Sequence, residues 1–561
     1  MGKPKKVLRS IAVGDFETDP FAYGRIPKPF ACGFMVEGLS TDKEYRYFWG
    51  DDCVSQFLSF LQGVKTPLLI YFHNGGKFDF FFFLKHLQNP VKVIHGRIVK
   101  ATIGIHEFRD SWAIIPMPLA SYKKEKIDYS LMERERRERN RPAILDYLYH
   151  DCLYLFDLVL AFNNRFGARL TIAGTAAKEL RKLHPQWSQK EPHDKKFRPY
   201  YFGGRVECFE SGVIKGEWKI YDVNSMYPFV MRNCNHPLGG HYITPNKKTL
   251  DRDGWFVGFS GLMYFATVRG RNFGALPVRV KDNNGGLSFT EPYGTFYTTS
   301  HELRLAIQLG LFIVEEIIDA HIPVQTQRFL EFVDTFVAEK IAAKQTKDEI
   351  AERFAKLILN SAYGRFGINP FDFFDYHIQA NGDERPQDAI DCDAGKTWGP
   401  YESNPEYTLW RRRVNQPQET EDDDAPKGFE DVAIAASITS AARAVLMRAI
   451  VESKRAVYCD TDSLICEALG KDSAISNTAL GAWKYEGCGD EIAVAGKKLY
   501  ALFDKGVEVK SASKGVKITP LEIKEVANGG VVVWESDAPN FSLLGGARFT
   551  HRRAQSTIVK R

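Results

Sequence analysis

Apolar and polar positions follow two rhythms along this chain, and they mark a series of short elements. Residues 11–18 (IAVGDFET) alternate with the two-residue period of a strand, which sends Asp15 and Glu17 out on one face. Residues 68–87 (LLIYFHNGGKFDFFFFLKHL) predict a buried strand, a Gly-Gly turn, and an apolar helix opened by Phe78 and Asp79. Asp79 then falls at a capping position. Residues 144–162 carry a helical stripe of Ile144, Leu145, Leu148, Cys152, Leu155, Phe156 and Val159. On that helix Tyr147 and Asp151 are i and i+4 and share a face. Residues 218–231 (WKIYDVNSMYPFVM) predict a strand ending at Asp222, then a turn into a short helix. Residues 351–367 predict a helix with Ala351, Phe354, Ala355 and Ile358 on its apolar side. Residues 455–468 (RAVYCDTDSLICEA) read as strand, acidic turn, strand, with Asp460 and Asp462 in the turn.

Apolar segments alternating with helical patterns predict α/β and α+β layers. At 561 residues the chain exceeds one ordinary core, so several domains are expected. A Gly-rich, turn-rich stretch over 236–298 predicts a short-stranded insertion. The charge-dense residues 121–142 predict a solvated helix. Residues 403–428, with the acidic run Glu419, Glu421, Asp422, Asp423 and Asp424, predict an exposed loop.

Composition narrows the class. Apolar residues make up 44% and charged residues 26%, the balance of a folded soluble protein. The net charge of +5 is too small to announce a nucleic-acid binder by itself. The last residues concentrate Arg548, Arg552, Arg553, Lys560 and Arg561 without an acid, which suits either phosphate contact or a solubilising tail. Nine Cys without a CxxC pair argue against a disulfide framework or a zinc site and for a reducing compartment. No run approaches the roughly 18 apolar residues of a membrane span, so a soluble intracellular protein is expected.

The acids form two constellations. Asp15, Glu17, Asp79 and Asp151 on separate elements, with Tyr147 nearby, suit a two-metal phosphodiesterase. The hard oxygen ligands favour Mg²⁺ or Mn²⁺. In the second set, Asp222 and Asp462 suit two further ions of a nucleotidyl transferase, and neighbouring Asp460 raises the local repulsion that cations would relieve. Tyr227 could pack under an incoming sugar. Lys356, Asn360, Tyr363 and Gly364 fall on one helix face, where they could meet a triphosphate and a base.

In this order the motifs resemble those of family B DNA polymerases, and within them the protein-primed subgroup of phages, adenoviruses and linear plasmids. DFE, NGGKFD and YLYHD resemble its three exonuclease motifs. DVNSMYP, KLILNSAYG and YCDTDS resemble polymerase motifs A, B and C. Lys498-Leu499-Tyr500 resembles the KxY primer-strand motif, and Tyr201-Phe202-Gly203-Gly204 the YxGG motif that links the two activities. The run DFETDPF with RIPKPF is most similar to enzymes of tectivirus-like phages.

The resemblance implies a ribonuclease-H-like 3′–5′ exonuclease domain over 1–170 and a right-hand polymerase domain after it. The palm would span 171–235 and 432–510, the fingers 331–367 and the thumb 511–561. Lys356 follows Asp222 by 134 positions, more than a short pair of finger helices needs. The excess points to an insertion over 236–330, and a second would follow over 368–431. In the subgroup such insertions bind the terminal protein and wrap DNA. The same resemblance implies that Asn74, Phe78 and Ser111 hold the frayed strand and that Lys124 assists the exonuclease. It implies that Tyr227 is the steric gate against a ribose 2′-OH, that Asp460 supports the metal ligands, and that Lys498 and Tyr500, with Tyr201, Gly203 and Gly204, contact DNA.

The expected partners are template-primer DNA, dNTPs, a separate terminal protein as primer and a single-stranded DNA-binding protein, with two Mg²⁺ or Mn²⁺ per active site and no membrane. The expected place of work is the cytoplasm of a host cell, with the gene carried by a phage or mobile element. An ordinary primer-dependent polymerase, a nuclease with a vestigial polymerase half, a nucleic-acid scaffold and an RNA polymerase remain as alternatives.

Overall fold

The structure, a computed structural model, describes residues 8–21, 26–37, 43–123, 125–185, 194–246, 248–280, 286–369, 372–383, 398–413, 431–543 and 546–558. Its architecture is the mixed α/β, multidomain arrangement expected.

The first strand, Ser10–Thr18, divides its side chains as its period requires. Ala12 and Phe16 join a Phe-rich core with Phe34, Phe57, Phe72 and Phe108. Val13 joins the opposite core, under the helix Arg141–Phe166, with Ile144, Leu148 and Cys152. Each fully buried Leu, Val or Phe of that helix contributes roughly 1.5–3 kcal/mol, which fixes the helix against the face that carries Asp15 and Glu17. The strand pairs in parallel with Leu68–Phe72 and antiparallel with Pro29–Glu37.

These strands belong to a ten-stranded sheet whose far edge comes from elsewhere in the chain. Phe374–Ala380 pairs with Gln88–Ile94, and Tyr407–Arg413 and Gly399–Ser403 follow it. The segment expected as a loop over 403–428 is therefore strand as far as Arg413, because Tyr407, Leu409 and Trp410 are apolar and buried there. Its acidic run lies outside the described residues.

Two other local expectations change. The apolar helix after the Gly-Gly turn is a 3-10 helix, Asp79–His86, with a kink at Phe83. Phe80 and Phe83, three residues apart, share one fully buried face of this element. The charged residues 133–140 form turns, not a solvated helix. Arg137 is buried there, 3.3 Å from Asp19 and 2.5 Å from Asp51, with its guanidinium over the Phe30 ring. A desolvated guanidinium needs these carboxylates, and they draw the segment onto the domain.

The second large sheet has seven antiparallel strands. Gly212–Val223 lies at its centre, flanked by Ser463–Ala468 and Trp483–Gly496. The helix Val432–Glu452 is long and apolar enough to cross a membrane by length and composition. That qualifies the expectation of no such run. With 78% of its most apolar window buried, it serves here as a core helix. The described residues of 236–330 build a four-stranded sheet and a helix, Ser300–Gln308, around a core that also takes in Met447 of the helix Val432–Glu452.

The basic C-terminal segment is not a tail up to Ser556. Gly546–Ser556 pairs with Val532–Ser542 in a long hairpin. Near the tip, Phe541 packs edge-on against Phe78, Phe81 and Phe82, and the Tyr407 hydroxyl donates to Leu543 O at 2.8 Å. Lys560 and Arg561 lie outside the described residues.

Candidate active sites

Two acidic centres form, one on each large sheet. In the first, Asp15 and Glu17 leave the same face of their strand and meet Asp151 from the covering helix. Ligand oxygens of the three lie within 4.8 Å of one another. Glu17, Tyr147 and Asp151 are buried, so Tyr147 and Asp151 are no surface pair. The Tyr147 hydroxyl is hydrogen-bonded to Tyr129 and Asp151, and burial followed by the Asp151 charge raises its pKa.

Asp79 stands outside that trio but acts on the same space. Burial first, then the charges of Asp15, Asp151, Glu17 and Asp79, push up the pKa of the Cys152 thiol. Asp79 is buried with one oxygen, Oδ1, lacking a hydrogen-bond partner, and desolvation pushes its pKa up to about 8. Buried carboxylates that repel one another suit a divalent cation.

The turn before Asp79 is built around close approach. Asn74 takes φ +65, and a Cβ at Gly76 would come within 2.0 Å of Ile98 O. Arg97 Nη1 donates to Asn74 Oδ1 at 2.8 Å and to Asp110 at 2.5 Å. Asn74 and Phe78 are partly exposed. Ser111 is not: it is fully buried, its hydroxyl 3.2 Å from Phe72 O and 3.0 Å from His73 Nδ1. It braces the turn from inside instead of facing a strand. Lys124 lies outside the described residues.

In the second centre, cross-strand register sets the geometry. Asp222 pairs with Ser463, and Val223 N donates to Asp462 O at 2.8 Å, so the two predicted ligands are neighbours. Burial, then repulsion from Asp462 and Glu486, pushes the Asp222 pKa up to about 6. Burial chiefly, with Asp460 adding to it, raises that of Asp462. Asp460 is differently placed. Lys498 Nζ bonds both its oxygens, at 2.7 and 2.6 Å, which fits a supporting carboxylate. Lys498 thus faces the acidic turn, and Tyr500 is buried against Tyr458 with ring centroids 4.9 Å apart.

The helix Glu349–Phe366 presents Lys356, Asn360 and Gly364 exposed, with Tyr363 half-buried beside them. Tyr363 stacks on Tyr227 with ring centroids 3.8 Å apart and planes 10° from parallel. The two tyrosines thus join the Asp222 segment to the helix. Tyr201, Gly203 and Gly204 lie on a loop behind the acidic turn, where a Cβ at Gly204 would meet Thr461 at 2.8 Å.

Sequence reasoning passed over four residues. Glu486 shares the space of Asp222 and Asp462 and is held by Lys510 and, at 3.1 Å, by Lys484. Lys340, on the helix Leu330–Thr346, is close enough to Lys356 to be repelled by it. Arg443 and Glu302 form a buried pair behind the Gly203 loop. Only the pairing of Lys484 with Asp222 points to Glu486, and that register is a tertiary fact.

Comparison with known proteins agrees with this geometry. The profile of DNA polymerase type B, organellar and viral, matches residues 117–456. The DNA-directed DNA polymerase of Enterobacteria phage PRD1 is 41% identical over 99% of this chain and 99% of its own length. The DNA polymerase of Bacillus phage phi29 is 23% identical, over 65% of this chain and 69% of its own. A crystal structure of the phi29 enzyme superposes with a TM-score of 0.70 at 18% identity, covering 98% of this chain and 100% of that one. A phi29 complex with primer-template DNA and incoming nucleotide matches with a TM-score of 0.69 and the same coverage.

Proposed function

The chain belongs to the organellar and viral type B DNA polymerases, and from that premise we propose that it is a replicative, DNA-directed DNA polymerase that also trims its own 3′ ends and starts from a terminal-protein hydroxyl. The observation that carries the double activity is the presence of two separate acidic centres: the Asp15, Glu17 and Asp151 trio, and the Asp222 and Asp462 pair.

At the polymerase centre, Asp222 and Asp462 would hold the ions, and Lys498 keeps Asp460 from adding a third free charge. Bound there, two divalent ions supply a lowered pKa at the primer 3′-hydroxyl and charge neutralisation at the triphosphate. Lys356 meets the triphosphate and Asn360 and Gly364 border the base. The Tyr227 ring, braced by its stack on Tyr363, blocks a ribose 2′-OH. Lys498 and Tyr500 seat the primer end, and Tyr201, Gly203 and Gly204 guide the DNA between centres.

At the exonuclease centre, Asp15, Glu17, Asp79 and Asp151 would hold the same kind of ion pair, Mg²⁺ or Mn²⁺. Tyr147 orients the attacking water through its hydroxyl. Asn74 and Phe78 hold the frayed end. Residues 236–330 and 368–431 are the two insertions that seat the terminal protein and embrace DNA. A single-stranded DNA-binding protein accompanies the displaced strand. The work takes place in the cytoplasm of an infected host cell.

A labelled primer-template with Mg²⁺, run with and without dNTPs, tests the reading. Extension with dNTPs and 3′ shortening without them are expected. Shortening alone in folded protein refutes the polymerase half. Protein priming is tested separately: labelled dNTP, cognate origin DNA and the partner protein should give a labelled partner. Its absence, with an enzyme active on ordinary primers, refutes that step.

A further inference from the structure

We propose that Arg443 is a positioning residue of the polymerase centre: it fixes the Tyr201-Phe202-Gly203-Gly204 loop and, through that loop, the turn carrying Asp460 and Asp462, while Glu302 of the 236–330 insertion fixes Arg443. The proposal rests on the polymerase reading above.

Arg443 sits on the buried helix Val432–Glu452, and it and Glu302 are 2% and 1% exposed. Its planar fork serves two neighbours at once. Nε and Nη2 donate to the two Glu302 oxygens at 2.8 and 2.6 Å. Nη1 donates to Phe202 O and Gly203 O, both at 2.8 Å. Charge neutralisation alone would need only the first set. A lysine, with a compact ammonium, cannot reproduce both sides of this geometry.

From the loop the contacts lead straight to the acids. Gly204 follows, so close to Thr461 that a side chain there would collide with it. Arg205 O accepts from Thr461 N at 2.7 Å. Thr461 holds φ +61, a left-handed conformation that costs a β-branched residue energy and persists only when its surroundings enforce it. The next residue, Asp462, bonds through its carbonyl to Val223 N, beside Asp222. A shift of the loop therefore changes the spacing of the two ligands. On the other side, Ser440 Oγ donates to Glu302 at 2.9 Å and lies 2.7 Å from Thr299 Oγ1. The 236–330 insertion is thereby wired to the catalytic turn, not merely appended to the palm.

The test is single-nucleotide addition by Arg443→Lys, with melting temperature and 3′ shortening measured on the same preparation. Misplacement by about 1 Å can cost roughly 100-fold. Arg443→Lys should therefore lower kcat by about 10- to 100-fold, change KM for dNTP by less than about threefold, and leave 3′ shortening within about twofold. Leu303→Ala, at a buried leucine of the insertion's core, should lower the melting temperature and leave kcat unaltered. If Arg443→Lys does not fold, Glu302→Gln decides: the anchor is weakened with the carbonyl contacts kept, and kcat should fall by about three- to tenfold. Wild-type kcat in the folded variant overturns the proposal, as does a loss matched by Leu303→Ala. No extension by the wild-type enzyme in the same assay would instead strike at the polymerase reading itself.

Discussion

Replacing Phe541 with alanine should release the C-terminal hairpin from the exonuclease domain and shorten each synthetic run. Phe541 is 7% exposed, and its ring lies edge-on to three others: Phe78 at 5.0 Å, Phe81 at 5.6 Å and Phe82 at 6.0 Å. Each such pair is worth about 0.5–1.5 kcal/mol beyond area burial, so the three together give about 2–4 kcal/mol. The hydrogen bond from Tyr407 to Leu543 O at the tip adds about 1 kcal/mol. The Phe541 ring is thus one of two apolar anchors at the tip, beside Leu543, which is buried in the Phe-rich core. Losing the ring raises the undocked population by roughly thirty- to several-hundredfold. The palm cores do not include this residue, so the melting temperature should hold. The assay is extension of a primed circular template with excess trap DNA, read as mean product length, together with backbone hydrogen exchange near the tip. Phe541→Ala should give products several-fold shorter and faster exchange. Full-length products with unchanged exchange would show that the aromatic contact does not hold the domains together.

The two centres should separate genetically: Asp462→Asn should reduce extension by about a thousandfold or more while 3′ shortening stays within about twofold, and Asp15→Ala with Glu17→Ala should do the reverse. Loss of both activities in either folded variant would mean the centres are not independent. Tyr227→Val should raise ribonucleotide use by about tenfold or more, and unchanged sugar discrimination in competition assays would remove Tyr227 as the gate. Asp222 and Asp79 have folded pKa values raised to about 6 and about 8. Their contribution to the stability of the metal-free enzyme is full below about pH 4 and is lost as pH rises through these values. Mg²⁺ should therefore raise the melting temperature more at pH 8 than at pH 5.5, and a pH-independent metal effect in calorimetry would contradict the assignment.

The acidic centres were largely legible in the sequence because short-range periodicity governs them. A two-residue period put Asp15 and Glu17 on one face, and an i, i+4 spacing put Tyr147 beside Asp151. The turn between two apolar strands put Asp460 next to Asp462. The expected alternation of layers likewise survives in the two large sheets. Local rhythm failed where packing competed with it. Four successive phenylalanines pack on one core from a kinked 3-10 turn, and Arg137 is drawn out of solvent by Asp19 and Asp51.

What the chain determined by itself, then, is which residues carry charge and which face of its own element each one takes, since φ, ψ and side-chain period are local. Only the tertiary structure decided which faces meet. Ser111 turned inward to brace a turn, Glu486 arrived beside Asp222 through strand register, and Lys498 closed on Asp460 from 38 positions away. Glu302 reached Arg443 across 141 positions. Such pairings follow from burying whole elements against one another, a gain summed over many distant contacts, and no window of sequence contains that sum.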